Sequence, residues 1–572
     1  MNRKLMMPAI AFALAFGAAG CDLAVTNPNA ADRNRALASP GDVETLISSS
    51  YVSGYWEQAQ YIGGMGPAWE VMSNHASSSW GNFGMDDAGR EPREPLQNQS
   101  SYSYAYIFEE PWADNYLGIS GATDGIRAMD GGLEIGAGGA DNARARAFAT
   151  FVQALSHCSL ALQYDRAFLL DETVDFESGE LAAIPYTEVM DFALQKMDAA
   201  IALAQGGSFT LPDTWFNGRP MSSAEFVALM RGYKARCRAN LPRDPGERGS
   251  VDWNAVASDA DAGLGDFILD MEETGPWWSD IKYYIGSEEG TWSRMHYDFA
   301  GQGDVGGSYQ AWLDIPIQQR MPTSVPLLQI PDQRWPQNNV DGEVGPTTTA
   351  IFPRGYFEFV STIVFRPERG TYRQSQYGSQ HYEDFVEINF GPAPEMLQTE
   401  MDLLRAEAAL EMGNIPEAVT LVNQTRVAHG GLPAVVDGGT VPGGASCVPR
   451  KRFDPTGTCG DLRDALQWEH YNEILSLSSG LTYFFTRRQG ELPPGTALHS
   501  PIPAAELEVL QQDIYTFGGD PGSPGSAGQP VLSVAGTGND LDRVLRRVTR
   551  TLEVYEERLQ ERAAVRAALR VR

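Results

Sequence analysis

Positive charge is what this 572-residue chain has least of: 43 Lys and Arg stand against 74 Asp and Glu, a formal net charge of −31. Phosphate binding needs a basic footprint, so this balance argues against nucleic acid and against an anionic membrane surface as the main partner. Lysine occurs only at positions 4, 196, 234, 282 and 451, a composition bias that carries no functional message. Cysteine is scarce as well. Cys21, Cys158, Cys237, Cys447 and Cys459 form no CxxC pair, so a clustered zinc site is lacking. The seven histidines, at 75, 157, 296, 381, 429, 470 and 499, are dispersed, and Glu469, His470 and Glu473 do not have HExxH spacing. No GxSxG elbow, Walker loop or dinucleotide fingerprint stands beside a convincing strand and helix. Paired carboxylates for glycoside hydrolysis leave no signature in a chain so rich in Asp and Glu. After the first residues no apolar run approaches the roughly 20 needed to span a bilayer. The expectation is a non-catalytic protein with no cofactor, no metal and no membrane-spanning helix.

What is present begins with Arg3 and Lys4, an apolar stretch from Leu5 to Phe16, and the small residues Ala18, Ala19 and Gly20 before Cys21. That charged, apolar, small-residue order is a secretory signal, and the cysteine directly behind it reads as a bacterial lipoprotein cleavage site. Residues 1–20 are therefore expected to be a signal peptide and Cys21 the residue that carries the lipid. In an exported protein disulfides persist. Cys447 and Cys459 bracket a short Gly/Pro-rich stretch in which a local disulfide is plausible.

A 42% hydrophobic content is enough for a large core. Helical periodicity dominates. Phe148, Phe151, Val152, Leu155, Cys158 and Leu162 share one face, as do Val189, Phe192, Ala193, Met197, Ala200, Ile201 and Ala204. A third helix starts at Ser222 and Glu225, which have capping-box spacing, and runs through Phe226, Leu229, Met230, Tyr233, Cys237 and Leu241. Cys158 and Cys237 lie on packing faces and read as two small buried hydrophobes rather than as a disulfide between neighbouring helices. From Leu403 to Asn423 the pattern is a helical hairpin. Gly413 suits a left-handed C-terminus, Asn414 can cap the next helix with Glu417 three residues on, and Pro416 fits its first turn. Ala406, Ala409 and Ala418 allow close helix approach as in tetratricopeptide-type units, although no strict repeat is visible. Between helices, stretches rich in Gly, Pro and aromatics at 54–118, 265–395, 430–460 and 517–540 read as long functional loops. Glu358 to Phe365 is one candidate strand within them.

On these residues the chain resembles the SusD/RagB-like outer-membrane lipoproteins, the substrate-binding partners of SusC-like TonB-dependent transporters. The similarity spans nearly the whole chain. It is carried by Leu23-Ala24-Val25-Thr26-Asn27-Pro28-Asn29, by Ala38 to Ile47, and by the Leu404-to-Asn423 hairpin followed by Arg426 and Gly430-Gly431-Leu432-Pro433. Most specific is Leu466-Gln467-Trp468-Glu469-His470-Tyr471-Asn472-Glu473-Ile474-Leu475, leading through Gly480 to Tyr483-Phe484-Phe485-Thr486-Arg487-Arg488 and to His499-Ser500-Pro501-Ile502-Pro503. The chain departs from the family in an Arg-rich tail to Arg572, where Leu541, Val544, Leu545, Val548, Leu552, Tyr555 and Leu559 have helical spacing.

The resemblance implies a mostly α, irregular tetratricopeptide-like helical-hairpin scaffold (SusD-like) with long loop-rich insertions and a few short strands. Residues 21–572 would form a single domain, with N-terminal helices and ligand-binding loops in 21–395 and a C-terminal helical portion in 396–572. It implies a lipid-anchored protein of the outer membrane and cell surface that binds a nutrient and delivers it to a SusC-like TonB-dependent transporter, with Glu469, His470 and Glu473 in a structural helix. The ligand would be an oligosaccharide. Alternatives are a peptide, as in RagB-type uptake, or a tetratricopeptide-like assembly scaffold with no small ligand. Sugar rings stack apolar C–H faces on aromatic rings, while their hydroxyls want polar neighbours. Two loops have that composition. One holds Asn74, Trp80 and Phe83, where SusD-like proteins commonly place ligand contacts. The other holds Trp277, Trp278, Tyr283 and Tyr284 and continues to Trp292 and Arg294.

Overall fold

The computed structural model describes residues 37–60, 64–78, 81, 83–175, 182–272, 275–287, 293–320, 326–362, 374–519 and 531–532. The signal segment, Cys21 and the predicted tail helix lie outside these residues.

The chain is mostly α. Helix α1 (Pro40–Ser50) starts where the Ser39 hydroxyl accepts from the Asp42 N–H, with proline in its first turn. It runs directly into a π-helix, Tyr51–Trp56. Then come α2 (Tyr106–Asp130), α3 (Asn142–Gln163), α4 (Tyr186–Gln205), α5 (Ser223–Asn240) and α6 (Trp253–Asp261). Two short helices, α7 (Asp280–Tyr284) and α8 (Glu383–Ile388), precede the hairpin α9 (Gln398–Glu411) and α10 (Ile415–Ala428). After the hairpin come α11 (Leu462–Glu473) and α12 (Leu481–Gln489), and a short helix, Ala504–Val509, follows them. Among the described residues no helix is long and apolar enough to cross a membrane.

Periodicity and caps account for most of these helices. The three predicted amphipathic faces became α3, α4 and α5. Ser222 and Glu225 form the reciprocal capping box in front of α5, satisfying two N–H groups that the helix itself leaves open. Helix α3 is the central rod: every residue from Ala147 to Gln163 is buried, because α1, α2, α4 and α5 all pack on it. Its C-terminal carbonyls would be orphans in such a place. They are met by buried arginines. Arg243 donates to the carbonyls of Ala161 and Leu162 at 2.7 and 3.0 Å, and Arg487 donates to Leu162 at 3.1 Å and to Asn240 at the end of α5 at 2.9 Å. Cations at helix C-termini also oppose the negative end of the macrodipole.

The structure overturns the reading of 54–118 as a loop. Gly54, Gly118, Gly121 and Gly125 are not turn residues there; they let α2 cross the first helical segment at contact distance. A Cβ on Gly54 would sit 2.7 Å from the Gly118 Cα, and one on Gly125 2.3 Å from the Ile47 side chain. Glycine weakens a helix by about 1 kcal/mol, and here the backbone approach offsets that cost.

Cys158 and Cys237 are disulfide-bonded, contrary to expectation, because α3 packs on α5 with these Cα atoms 6.0 Å apart, within bridging range. Cys447 and Cys459 are also bonded, with Cα atoms 5.8 Å apart. Closing the 79-residue separation of the first bridge stabilises by about 4.5 kcal/mol in the chain-entropy model. The double variant Cys158→Ala/Cys237→Ala should therefore lower the urea midpoint by an amount equivalent to about 4 kcal/mol; an unchanged midpoint would mean that the bridge closes no loop in the unfolded chain.

In the hairpin, Gly413 takes φ +77°, as the left-handed stop requires. Asn414 occupies the N-cap position of α10 but its side chain makes no cap bond; its amide donates instead to the Glu417 carboxylate at 2.7 Å.

Strands are short and paired in twos. β1 (Ala76–Ser78), β2 (Phe267–Glu272), β3 (Ser293–Met295), β4 (Phe357–Phe359), β5 (Tyr377–Ser379) and β6 (Phe390–Met396) form three antiparallel pairs, β1 with β3, β2 with β6 and β4 with β5. The strand expected from Glu358 to Phe365 is β4, which ends at Phe359; residues 363–365 lie outside the described set. Three large hydrophobic clusters fill the interior, and one of them joins residues as far apart as Met65 and Phe517.

Candidate functional site

Pairing of β1 with β3 brings the two aromatic loops together. Ala76 faces Met295, Ser77 faces Arg294 and Ser78 faces Ser293, so the segment ending at Phe83 and the segment around α7 share one patch of surface. Trp278, Tyr283, Tyr284 and Phe83 are half-buried there. Their rings follow one another: Phe83 to Tyr284 at 6.0 Å, Tyr284 to Tyr283 at 4.8 Å, and Tyr283 to Trp278 at 5.5 Å. Trp278 in turn lies 5.2 Å from buried Phe385 of α8. These spacings are those of favourable aromatic pairs.

The row is held from beneath by polar contacts. Ser279 caps α7 by accepting from the Lys282 N–H, and its hydroxyl donates to Gln60 Oε1 at 2.6 Å. Lys282, fully buried, points inward and donates to Gln60 Oε1 at 3.2 Å and to the Leu477 carbonyl at 2.7 Å. Burial pulls the Lys282 ammonium down to about 7. The Trp278 indole N–H is fixed on Asp280 Oδ1 at 2.7 Å, which sets the ring plane.

Other predicted residues are elsewhere or differently used. Trp277 is only 6% exposed; it packs 6.0 Å from Tyr51 and 5.4 Å from Trp56 inside the core and presents no face to a ligand. Arg294 is buried in β3. Asn74 is buried too, at φ +55°, its amide nitrogen between Glu91 at 2.8 Å and Asp298 at 2.6 Å while Arg93 donates to its oxygen at 2.7 Å. All three side chains are buried, apart from the half-buried ring row. Trp80 and Trp292 lie outside the described residues.

Glu91, His296 and Asp298 have ligand-type atoms within 4.8 Å of one another. The Asn74 N–H groups already bridge the two carboxylates, and the Asp298 N–H donates to His296 Nδ1 at 3.0 Å, so the group works as a hydrogen-bonded clasp. Glu469 and Glu473 of α11 are likewise spoken for. Both receive hydrogen bonds from the buried Arg334 guanidinium, at 2.7 and 2.9 Å, while His470 stacks on Phe485 at 4.0 Å.

Sequence reasoning missed the segment beside the row. Ile388 and Phe390 are 66% and 54% exposed, among the most exposed large apolar side chains described. The three-residue spacing of Phe385 and Ile388 was the available signal; one turn of helix inside a long Gly/Pro-rich region is too short to stand out.

No family model matches the chain, and no curated protein matches it. Solved structures do align with it. A SusD superfamily protein from Bacteroides vulgatus shares 11% identity at a TM-score of 0.48, covering 80% of this chain and 89% of its own. A SusD-like carbohydrate-binding protein from Bacteroides fragilis shares 13% at 0.47, covering 79% and 86%. Surface glycan-binding protein A from Bacteroides uniformis shares 11% at 0.46, covering 80% and 91%. Over about four-fifths of its length, this chain is thus similar to SusD-like proteins.

Proposed function

We propose that this protein binds an oligosaccharide on the row Phe83, Tyr284, Tyr283 and Trp278 and passes it, without chemistry, to a SusC-like TonB-dependent transporter in the same outer membrane. The observation that carries the reading is the convergence of two loops, more than 190 residues apart in sequence, into one ring row through the β1–β3 pairing. Rings spaced 4.8 to 6.0 Å apart offer a surface on which the apolar faces of successive sugar units can lie. A lipid on Cys21 and the placement of 21–572 as one capture domain at the cell surface belong to the same proposal. They rest on the signal pattern and on the similarity of the 403–433 and 466–507 segments to the SusD/RagB-like family.

Two measurements test it. Trp278→Ala and the double variant Tyr283→Ala/Tyr284→Ala should each weaken binding of the best oligosaccharide from a glycan array by about tenfold, since an aromatic face is worth roughly 0.5–1.5 kcal/mol beyond its buried area. Full affinity in both variants would remove the row from the site. Solubilised membranes should yield a TonB-dependent transporter with the tagged protein, and its absence would remove the delivery step. The exposed Ile388 favours a second reading, a peptide ligand, because an aliphatic side chain contacts peptides more readily than sugar hydroxyls. Silence on the glycan array together with binding to a peptide mixture would select it.

A further inference from the structure

Ser100 to Tyr106 reads Ser-Ser-Tyr-Ser-Tyr-Ala-Tyr, so that every second residue from Tyr102 is a tyrosine. Tyrosine supplies a large, rigid, amphipathic contact face at low entropic cost and serine supplies adaptable hydrogen bonds, a pairing suited to recognition surfaces. The three rings follow one another, Tyr102 to Tyr104 at 5.6 Å and Tyr104 to Tyr106 at 6.1 Å. All three are half-buried, and Ser101 and Ser103 stand exposed between them.

This file of tyrosines adjoins the first row at one turn. Phe83 and Gly84 both take positive φ there, +56° and +70°. On one side of the turn the Phe83 ring lies 6.0 Å from Tyr284. On the other, a Cβ on Gly84 would sit 3.4 Å from the Tyr102 hydroxyl oxygen and 3.7 Å from the Tyr104 Cβ. Tyr102 is fixed in place, because its hydroxyl donates to Asp87 Oδ2 at 2.6 Å and the Asp87 carboxylate also accepts from Arg90 at 3.2 Å. A pocket opens beside it, lined by Gly84, Asp87, Glu94, Gln97 and Thr496. The exposed Glu94 and Gln97 thus put a carboxylate and an amide next to the rings, the polar complement that sugar hydroxyls need.

We infer that the ligand face continues past Phe83 onto Tyr102, Tyr104 and Tyr106, and that the protein selects long oligosaccharide chains over short ones; the inference rests on the glycan reading of the first row. A short chain is fully served by the four rings of that row. A longer one reaches further ring faces and hydrogen-bond partners, and it gains them without a second loss of translational freedom.

The test uses the full-length protein and tetramers and octamers of three neutral series, malto-, xylo- and laminari-oligosaccharides, titrated by calorimetry. In a series that binds, the octamer should bind at least about tenfold tighter than the tetramer, given the worth of an aromatic face. The double variant Tyr104→Leu/Tyr106→Leu keeps apolar bulk toward the core against which both rings pack and removes two stacking faces. Its octamer-to-tetramer ratio should fall to the few-fold that extra binding registers alone supply. A ratio as large as in wild type overturns the inference. Hydroxyl-radical oxidation of the wild-type protein gives a second readout that does not depend on how the variant folds. Bound octamer should protect Tyr102, Tyr104 and Tyr106 along with Trp278; protection confined to Trp278 overturns the inference and leaves the four-ring site standing. If none of the three series binds, the glycan reading of the row falls and the extension falls with it.

Discussion

Arg334→Met should destabilise the protein by at least 4 kcal/mol, enough to leave it largely unfolded at 37 °C if its stability is ordinary. Arg334 is completely buried and is the guanidinium on which three buried carboxylates converge: Asp332 at 2.6 Å, Glu469 at 2.7 Å and Glu473 at 2.9 Å. Each carboxylate has a further donor, the Trp468 indole on Asp332, the Thr425 hydroxyl on Glu469 and the Tyr356 hydroxyl on Glu473. Those neutral donors do not balance charge. Removing one member of a buried ion pair typically costs 3–5 kcal/mol because it strands its partner, and here it strands Asp332 and Glu469 and leaves Glu473 only the His429 contact at 2.9 Å. Thermal unfolding measures the effect; a melting temperature within a few degrees of wild type would show that the carboxylates take up protons at little cost.

The same cluster has a pH-sensitive clasp. His429, its side chain 28% exposed, contacts Glu473 at 2.9 Å, and that hydrogen bond holds the imidazolium above the usual histidine range. A base whose folded pKa is raised adds stability that is fully present below its unfolded pKa near 6.5 and is lost as pH rises through the folded value. His429→Gln should flatten stability over that window and leave the rest of the pH profile as it was.

Lys282→Met should act in the opposite direction and stabilise the protein by about 3–5 kcal/mol at pH 6. Burial, the largest cause, lowers the Lys282 pKa from 10.5 to about 7, only partly offset by the Glu395 charge. Between those two values the unfolded chain binds a proton that the folded one does not, so wild-type stability rises with pH from 7 to 10.5, and below 7 the full cost of burying the ammonium is borne. Methionine has similar length and no charge. It strands no acceptor, because Gln60 Oε1 keeps the Ser279 hydroxyl and the Leu477 carbonyl keeps the Gln60 amide at 3.3 Å. Urea melts at pH 6 and pH 9 should show a wild-type difference that the variant lacks. A variant less stable than wild type at both pH values would mean that Lys282 holds α7 through its hydrogen bonds more strongly than its charge opposes folding.

Much of the scaffold could be read from residues near one another in the chain. Helices α3, α4 and α5 announce themselves by apolar residues three and four apart, α5 also by its capping box, and the α9–α10 hairpin by Gly413 and Pro416. Helix α2 escaped because its glycines, spaced for a crossing with the first helical segment, imitate a loop composition when the crossing is unseen. The candidate site was half legible. Aromatic density picked out both loops, but nothing local distinguishes Trp277 from Trp278.

By itself the sequence determined the helical framework, the acidic surface and the two aromatic loops, since all of these depend on composition or on spacings within a turn or two. Tertiary structure alone decided the rest. It turned Trp277 into the core against Tyr51 and Trp56 and left Trp278 half-open, and it joined Cys158 to Cys237. It also answered Glu469 with Arg334, 135 residues away. Each of these outcomes depends on which faces meet when distant segments pack, and a choice between partners from 79 to more than 200 residues apart leaves no periodic trace in the chain.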